Sequence, residues 1–268
     1  MANKKCKGES LPSSLYHYTN IDALEQILPS KSDDIKDGEL YMTLRLSHPK
    51  QCNDPEEQNF FNDTLYRDSE ICKQLKDNVD TTKENIGEPF IMSLIRHKRA
   101  IMSKCPLTEI PMWSMYGKKE KGVRLRFDYK ELNAYCKENN FSLISCRYLN
   151  KEGMRIETQK IRDENKEGKL SVDRLEEIYK QSILYKPLIW NYECEHRIVV
   201  WTNNYLTNED NNRYVYIRIP LSILKVIQIS PMANVEESKK AINKMKNRIQ
   251  KLGFKVNLKV ETSNILIK

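Results

Sequence analysis

Several common phosphate-binding, catalytic and metal-binding motifs are absent from this sequence of 268 residues. It has no GxGxxG or GxxxxGK[ST] loop to bind phosphates, and it has neither the GxSxG nor the HExxH motif. Its four histidines and seven scattered cysteines form no CxxC pair and no Cys/His cluster. The sequence therefore predicts neither a zinc site nor a disulfide framework, and no metal is expected.

Long apolar segments are missing as well. No apolar run approaches the roughly 20 residues that a membrane-spanning helix needs. The basic N-terminus is not followed by the apolar region of a signal peptide. Dispersed cysteines fit the reducing interior of a cell. We therefore expect a cytoplasmic protein with no membrane partner and with a flexible N-terminus at residues 1–10.

The charge balance is basic. Forty-five Lys and Arg residues against 37 Asp and Glu residues give a formal net charge of +8. This excess favours an anionic partner, such as nucleic acid or a phosphorylated cofactor. Because the basic residues are spread along the chain, a solvated lysine-rich surface explains the same excess.

The hydrophobic patterns predict nine or ten strands and five or six helices in irregular order. Regular helical crossovers between strands are not evident, which favours an α+β fold with mostly antiparallel or mixed sheets and flanking helices. One domain over residues 11–268 fits best, with a charged helical insert at about 150–186. Residues 76–88 are polar and predict a loop.

The segment 190–201 is the most informative part of the chain. Its aromatic and β-branched residues, uninterrupted by Gly or Pro, predict a strand. Alternation along that strand would put Glu193, Glu195 and Arg197 on one face. Two carboxylates about 7 Å apart are costly on a sheet unless water or a function accounts for them. A solvated face with a local Glu–Arg pair and a catalytic site both remain open.

Two further segments carry candidate chemistry. His17 ends a short strand just before a helix that Asn20 can cap, a position that suits an anion, a sugar hydroxyl or a structural hydrogen bond. Asn53–Asp54–Pro55 predicts the cap of another helix. A short helix at 111–117 would place Trp113 and Tyr116 on one face, with core packing favoured for Trp113.

These segments also carry a family resemblance. Six of them follow one another in a fixed order: Tyr16–Thr19, Asn53–Glu56, Met112–Tyr116, Gly122–Asp128, Trp190–Arg197 and Ile227–Pro231. Together they resemble a widespread bacterial family, the domain of unknown function 2971, over roughly residues 11–266. The layout of that family in turn resembles the ADP-ribosyltransferase superfamily.

The second resemblance implies an ADP-ribosyltransferase-like core that takes NAD as its substrate. It implies that Glu195 is the catalytic carboxylate and that Glu193 is the first member of a Glu-x-Glu pair. His17 would bond a ribose of NAD, Tyr41 or Thr43 would flank the nicotinamide, and either Tyr41 or Tyr116 would cover it. Independently of the resemblance, Arg197 suits the pyrophosphate or the orientation of Glu195, and its place on the same face as the glutamates favours the second role. The full set of implied cofactor-binding residues is His17, Tyr18, Thr19, Tyr41, Thr43, Tyr116 and Arg197. The chain departs from the superfamily in lacking an evident Ser-Thr-Ser.

Several functions remain open. The leading hypothesis is an NAD-consuming ADP-ribosyltransferase-like enzyme that modifies protein or nucleic acid, an activity that would suit a toxin or an anti-phage effector. An NAD glycohydrolase would use the same residues with water as the acceptor. A non-catalytic binding module would instead contact nucleic acid or protein through the basic helix predicted at 235–252. A phosphodiesterase or nuclease ranks last.

Overall fold

The computed structural model describes residues 12–51, 59–67, 70–97, 109–116 and 119–263. The helices in these ranges are α1 (Ile21–Ile27), α2 (Asn59–Leu65), α3 (Glu70–Ile86), α4 (Glu109–Tyr116), α5 (Tyr129–Glu138), α6 (Lys151–Lys166), α7 (Val172–Gln181) and α8 (Val235–Lys251). The strands are β1 (Ser14–Asn20), β2 (Ile35–Lys36), β3 (Glu39–Ser47), β4 (Glu88–Ile95), β5 (Gly122–Asp128), β6 (Ser142–Ser145), β7 (Arg147–Leu149), β8 (Tyr185–Pro187), β9 (Glu195–Thr202), β10 (Leu206–Thr207), β11 (Arg213–Pro220), β12 (Leu224–Ile229) and β13 (Lys259–Thr262). The predicted cap at Asn53–Asp54–Pro55 and the N-terminus at 1–10 lie outside the described residues.

Most strands belong to one large sheet with the order β10-β11-β3-β4-β1-β5-β12-β13, and β9 adds β6 to it beside β4. Among the described strands, every pairing is antiparallel except β12 with β13 and β7 with β8. The structure therefore confirms the predicted α+β class with a mostly antiparallel sheet and flanking helices.

The sheet splits along one edge of β4. The other edge of β4 pairs with β9 over the whole length of β4. On the split edge, β3 meets β4 only at Ile91 and β1 meets it only at Ile95. Ser93 lies between these two contacts, so β1 and β3 diverge there. This split positions the residues of the candidate site.

Alternating side chains build the main core on one side of the strands. Val123, Leu125 and Phe127 of β5 are buried there, as the sequence pattern predicts. Helices α1, α5 and α8 cover this side, and Ile242 and Ile249 form part of the apolar stripe of α8. The core face of β5 is therefore defined, whereas the opposite face of β1, β4 and β9 packs two smaller apolar clusters, one with Ile95 and Trp113 and one with Ile91 and Val199.

A second apolar cluster lies among helices α2, α3, α6 and α7. The charged segment predicted as a helical insert forms α6 and α7, which pack with α2 and α3. The predicted loop at 76–88 is wrong, because α3 runs to Ile86. Most of the described polar residues between 76 and 86 face outwards, whereas Leu75 and Val79 are buried in this cluster. Tertiary packing thus stabilises a helix that the local composition does not indicate.

The predicted strand at 190–201 is also partly wrong. Leu188–Glu193 forms a 3-10 helix, Cys194 adopts a left-handed conformation with φ of 46°, and the strand begins only at Glu195. An extended chain would hold the carboxylates of Glu193 and Glu195 about 7 Å apart. The turn at Cys194 instead lets both reach a single ammonium group.

Within the described ranges, each helix is too short or too polar to cross a membrane.

Candidate active site

A buried lysine joins the two glutamates that the sequence singled out. Nζ of Lys186 lies 2.6 Å from Oε2 of Glu193 and 2.7 Å from Oε2 of Glu195. These three residues are between 1% and 4% exposed. Lys186 reaches them from β8, the short strand that precedes the 3-10 helix. The arrangement excludes a solvated strand face as the explanation for the glutamates.

Glu195 is held on its other side by two more groups. Arg197 donates from Nε to Oε1 of Glu195 at 2.8 Å and from Nη2 to Oε2 at 3.2 Å, and its Nη1 donates to the carbonyl of Ile183. Oγ of Ser93 donates to Oε1 of Glu195 at 2.5 Å. Because β4 and β9 pair in register, Ser93 lies directly opposite Arg197. The position of the Glu195 carboxylate is thus fixed by three separate side chains.

Two tyrosines complete the surroundings of the glutamates. Oη of Tyr116, at the end of α4, donates to Oε1 of Glu193 at 2.9 Å. Burial and the neighbouring carboxylate of Glu193 raise the pKa of Tyr116, so its hydroxyl stays a donor. The backbone N–H of Glu195 donates to Oη of Tyr148 at 2.8 Å. These contacts tie α4 and β7 to the same cluster.

The charges of the cluster balance. Burial raises the pKa of Glu195, whereas the ammonium of Lys186 opposes that rise. Burial alone would lower the pKa of Lys186, but Glu195 and Glu193 together raise it above its ordinary value. Lys186 is therefore charged, and two cations with two carboxylates make a neutral tetrad of Lys186, Glu193, Glu195 and Arg197. Such a set is tolerated in an interior only when each charge has a partner.

The side chain of His17 contacts the backbone of Ser93, the serine that also bonds Glu195. Nδ1 of His17 lies 3.0 Å from the carbonyl oxygen of Ser93, at the point where β1 leaves β4. Burial lowers the pKa of His17, which leaves a neutral ring whose Nδ1 donates this bond. Strand alternation places His17 on the side of β1 that carries Leu15, whereas Glu195 lies on the opposite side of the sheet. The two residues therefore meet at Ser93 from different faces.

Of the other predicted residues, Tyr18 and Thr19 lie on β1, and Tyr41 and Thr43 lie on β3. Tyr18 projects to the same face as Tyr16 and lies against Trp113 of α4, with ring centroids 4.9 Å apart. Thr19 pairs with Val123 in the β1–β5 ladder.

Tyr41 and Thr43 lie on β3, beyond the split. Their described neighbours are on β11, where Thr43 pairs with Arg218 and the Arg218 guanidinium lies 5.3 Å from the Tyr41 ring centroid. Among the described contacts, none joins either residue to Glu195. The structure thus brings together Glu193, Glu195, Arg197 and Tyr116, but not the second-strand residues.

Sequence reasoning missed Lys186, Ser93 and Tyr148. Ser93 had a usable signal, since it is the one polar residue within the apolar run 90–95. Lys186 and Tyr148 had none, because each lies in a short strand whose pairing, β7 with β8, is set by distant parts of the chain.

Stability should fall in acid because the four histidines are held neutral. Burial lowers the pKa of His17 and His196, and it lowers those of His48 and His97 to about 4 and about 3. The unfolded chain takes up these protons near pH 6.5, so it binds more protons than the folded chain below that pH. The free energy of unfolding, measured by urea titration, should decrease steadily from about pH 6.5 to about pH 4.

His97 offers a matched variant for this prediction. Its Nε2 accepts a bond from Nη1 of Arg124 at 3.0 Å, which an imidazolium would break. In His97→Gln the amide oxygen can accept the same bond without titrating. The free energy of unfolding should then fall less steeply with decreasing pH, by an amount that corresponds to at most one proton fewer taken up on unfolding. An unchanged slope in this variant, or stability that rises in acid, would contradict the assignment.

The fold and the buried cluster together define an α+β protein that holds a charge-balanced glutamate pair beside the split of an antiparallel sheet. Residues 112–198, which include the last five residues of α4, Lys186 and both glutamates, match the family model described as Protein of unknown function (DUF2971). The resemblance to this family is thus confirmed for that segment. The comparison with curated proteins gave no match.

Two solved structures are similar at a low level. Both are of DarT from Thermus sp. 2.9. One, in complex with ADP-ribosylated ssDNA, has 11% identity, coverage of 94% of each chain and a TM-score of 0.36. The other, in complex with NAD+, has 13% identity, coverage of 96% of this chain and 98% of that chain, and a TM-score of 0.34. Similarities this low assign no residue of the site and no activity.

Proposed function

We propose that this chain is an NAD-consuming ADP-ribosyltransferase-like enzyme in which Glu195 is the catalytic carboxylate. The observation that carries the proposal is the fixed position of Glu195, which Lys186, Arg197 and Ser93 hold by direct hydrogen bonds. A carboxylate that is preorganised in this way needs little reorganisation when positive charge develops beside it.

The proposed reaction breaks the bond between nicotinamide and ribose. Nicotinamide leaves with the electron pair of the C–N bond, and the ribose acquires oxocarbenium character, as in glycoside hydrolysis. The negative charge of Glu195 stabilises that cation and accepts a hydrogen bond from a ribose hydroxyl. An acceptor nucleophile then bonds to the anomeric carbon and releases its proton to a nearby base or to water.

Other residues of the cluster have supporting roles in this proposal. Glu193 anchors the Tyr116 hydroxyl, which leaves the aromatic ring as a surface for the nicotinamide. Arg197 orients Glu195. The bond from Nδ1 of His17 to Ser93 fixes that ring at the split of the sheet. Because His17 lies on the other face from Glu195, the proposed step assigns it no contact with the reacting ribose. The proposed step needs no contact from Tyr41 or Thr43, and it needs no metal ion.

Access to Glu195 requires movement, because only 2% of this residue is exposed. The 3-10 helix Leu188–Glu193 carries one member of the cluster, and its Ile189 is 77% exposed. We infer that this segment shifts when NAD binds. A site that closes again around the reacting ribose would exclude water and so favour transfer over hydrolysis.

Incubating the protein with NAD labelled in its adenylate part tests the proposal, with and without cell lysate. Label on a macromolecule is the expected result, and protease or nuclease treatment then shows whether the acceptor is protein or nucleic acid. Free ADP-ribose without transfer would instead support an NAD glycohydrolase. If NAD stays intact under all conditions, the enzymatic proposal fails and the tetrad is structural. A role as a toxin or an anti-phage effector is tested by expression in growing and in infected cells.

A further inference from the structure

Strands β3 and β11 present an unusual outward face. Their inward residues, such as Leu44 and Ile217, are buried in the main core. The register pairs Arg45 with Tyr216 and Thr43 with Arg218 on the opposite face. By alternation that face, here called the tyrosine face, consists of Tyr41, Thr43, Arg45, Tyr214, Tyr216 and Arg218.

Arginine and tyrosine side chains stack on one another across the tyrosine face. The Arg45 guanidinium lies 4.3 Å from the centroid of the Tyr214 ring, and Arg218 lies 5.3 Å from that of Tyr41. The Tyr214 and Tyr216 rings meet edge to face at 5.2 Å. Tyr216 is 53% exposed, so much of this ring is open to solvent.

The central part of this face carries only positive charge. Residues 40–47 and 213–220 contain arginines but no Asp or Glu, and the acid that alternation adds to the face, Glu39, lies at the first position of β3. Among the described residues, neither Arg45 nor Arg218 forms a salt bridge with a carboxylate, although Nη2 of Arg218 donates to the carbonyl of Asp33. An outward sheet face normally carries mixed polar residues. Three aromatic rings and two unneutralised guanidinium groups on such a face require another explanation.

We propose that the tyrosine face binds single-stranded nucleic acid. Bases would stack on Tyr216 and Tyr214, since stacking on aromatic side chains is the main sequence-independent contact to unpaired bases. Arg45 and Arg218 would contact the phosphates, and their guanidinium groups remain well placed for bidentate bonds. A duplex hides the faces of its bases, so a stacking surface of this kind selects a single strand. The inference does not depend on NAD chemistry.

Helix α8 is the competing surface for a polyanion. It has six basic residues against two acidic ones, and Lys240, Lys244 and Lys251 have no salt bridge within the described part of the chain. A groove of about 800 Å³ lies along these lysines, with Glu25 and Glu236 also in its wall. This surface has charge but no aromatic ring, so it would bind single strands and duplexes by electrostatics alone.

Fluorescence anisotropy in the absence of NAD tests the proposal, with a labelled single strand of about 12 nucleotides and the duplex of the same sequence. Tyr216→Ala should weaken single-strand binding by about 5- to 150-fold, corresponding to one lost stacking contact. Tyr216→Phe should retain most of the affinity. Arg45→Glu should weaken binding and reduce its salt dependence. Arg155→Glu, the same charge change at an exposed position of α6, is the matched control and should change little.

Several outcomes would overturn the proposal. These are the absence of single-strand binding by the wild type, equal affinity for the duplex, and wild-type affinity in both Tyr216→Ala and Arg45→Glu. Loss of binding in Lys240→Glu/Lys244→Glu together with full binding in Tyr216→Ala would assign the contact to α8 instead. Thermal unfolding of each variant confirms that the fold is intact. None of these results bears on whether the protein consumes NAD.

Discussion

Lys186→Met is expected to lower the free energy of unfolding by about 3–5 kcal/mol, the usual cost of leaving a buried charge without its partner. The ammonium of Lys186 bonds two buried carboxylates, Glu193 and Glu195. Without it, Arg197 remains as the cation closest to both of them in the cluster. Urea unfolding of the purified variant near neutral pH measures the loss.

The deficit of Lys186→Met should shrink in acid. In this variant, a carboxyl of the cluster has a folded-state pKa raised above its unfolded value near 4.3, so protonation favours the folded state. The added stability is fully present below the unfolded pKa and is lost as the pH rises through the folded pKa. Relative to the wild type, the variant should therefore recover stability as the pH is lowered towards about 4.

A double variant separates the contribution of charge balance from the contribution of packing. Lys186→Met/Glu193→Gln removes one cation and one carboxylate, so Glu195 keeps Arg197 and the net charge of the cluster stays zero. We expect this pair to recover about 0.5–3 kcal/mol relative to additivity. Lys180→Met, in a partly exposed pair with Glu176, is the control and should cost less than about 1 kcal/mol. Strict additivity would show that Lys186 contributes through packing alone.

Glu195→Gln is expected to slow NAD cleavage per folded molecule by about 10²–10³-fold, the usual effect of removing one preorganised electrostatic group. The amide keeps the size of the side chain but cannot stabilise the ribosyl cation. The rate is measured as nicotinamide release at saturating NAD. The fraction of folded protein is measured by circular dichroism in the same preparations, because this substitution also leaves Lys186 and Arg197 with one carboxylate fewer.

The rates of Glu193→Gln and Glu195→Asp are compared with that of Glu195→Gln to rank the two carboxylates. In Glu193→Gln the amide oxygen can still accept the Tyr116 bond, so the rate should fall less than in Glu195→Gln. Glu195→Asp keeps the charge but retracts it by one methylene, and an intermediate rate is expected. If Glu195→Gln keeps the wild-type rate, or if Glu193→Gln is the slower enzyme, the ranking of the two carboxylates is wrong.

Much of the frame around the cluster could be predicted from the sequence. Clean alternation predicts the strand at 121–128, and a short strand is predicted at Leu15–Thr19 as well. Asn20 caps α1 by accepting a bond from the N–H of Ala23 at 3.0 Å. Glu193, Glu195 and Arg197 were identified because charged residues in an otherwise apolar segment violate the expected pattern. Local periodicity and composition contain this information directly.

Other features of the cluster depend on contacts between distant residues. From the sequence alone, Lys186 is interpreted as a solvated lysine. Its burial depends on the pairing of β7 with β8, which the local sequence does not predict. The 3-10 helix before Cys194 lets two carboxylates share one ammonium, an arrangement that strand propensity does not predict. The position of Ser93 beside Glu195 follows from the β4–β9 register, and the separation of Tyr41 follows from the split at β4.

Glu195 must reach the nicotinamide ribose if it is the catalytic carboxylate. The most direct measurement is a crystal structure of the protein with a non-hydrolysable NAD analogue. We predict the nicotinamide ribose within hydrogen-bond distance of the Glu195 carboxylate, about 3 Å, with Leu188–Glu193 displaced to admit it. A ribose bound away from Glu195, with the tetrad still closed in a protein that cleaves NAD, would contradict the assignment.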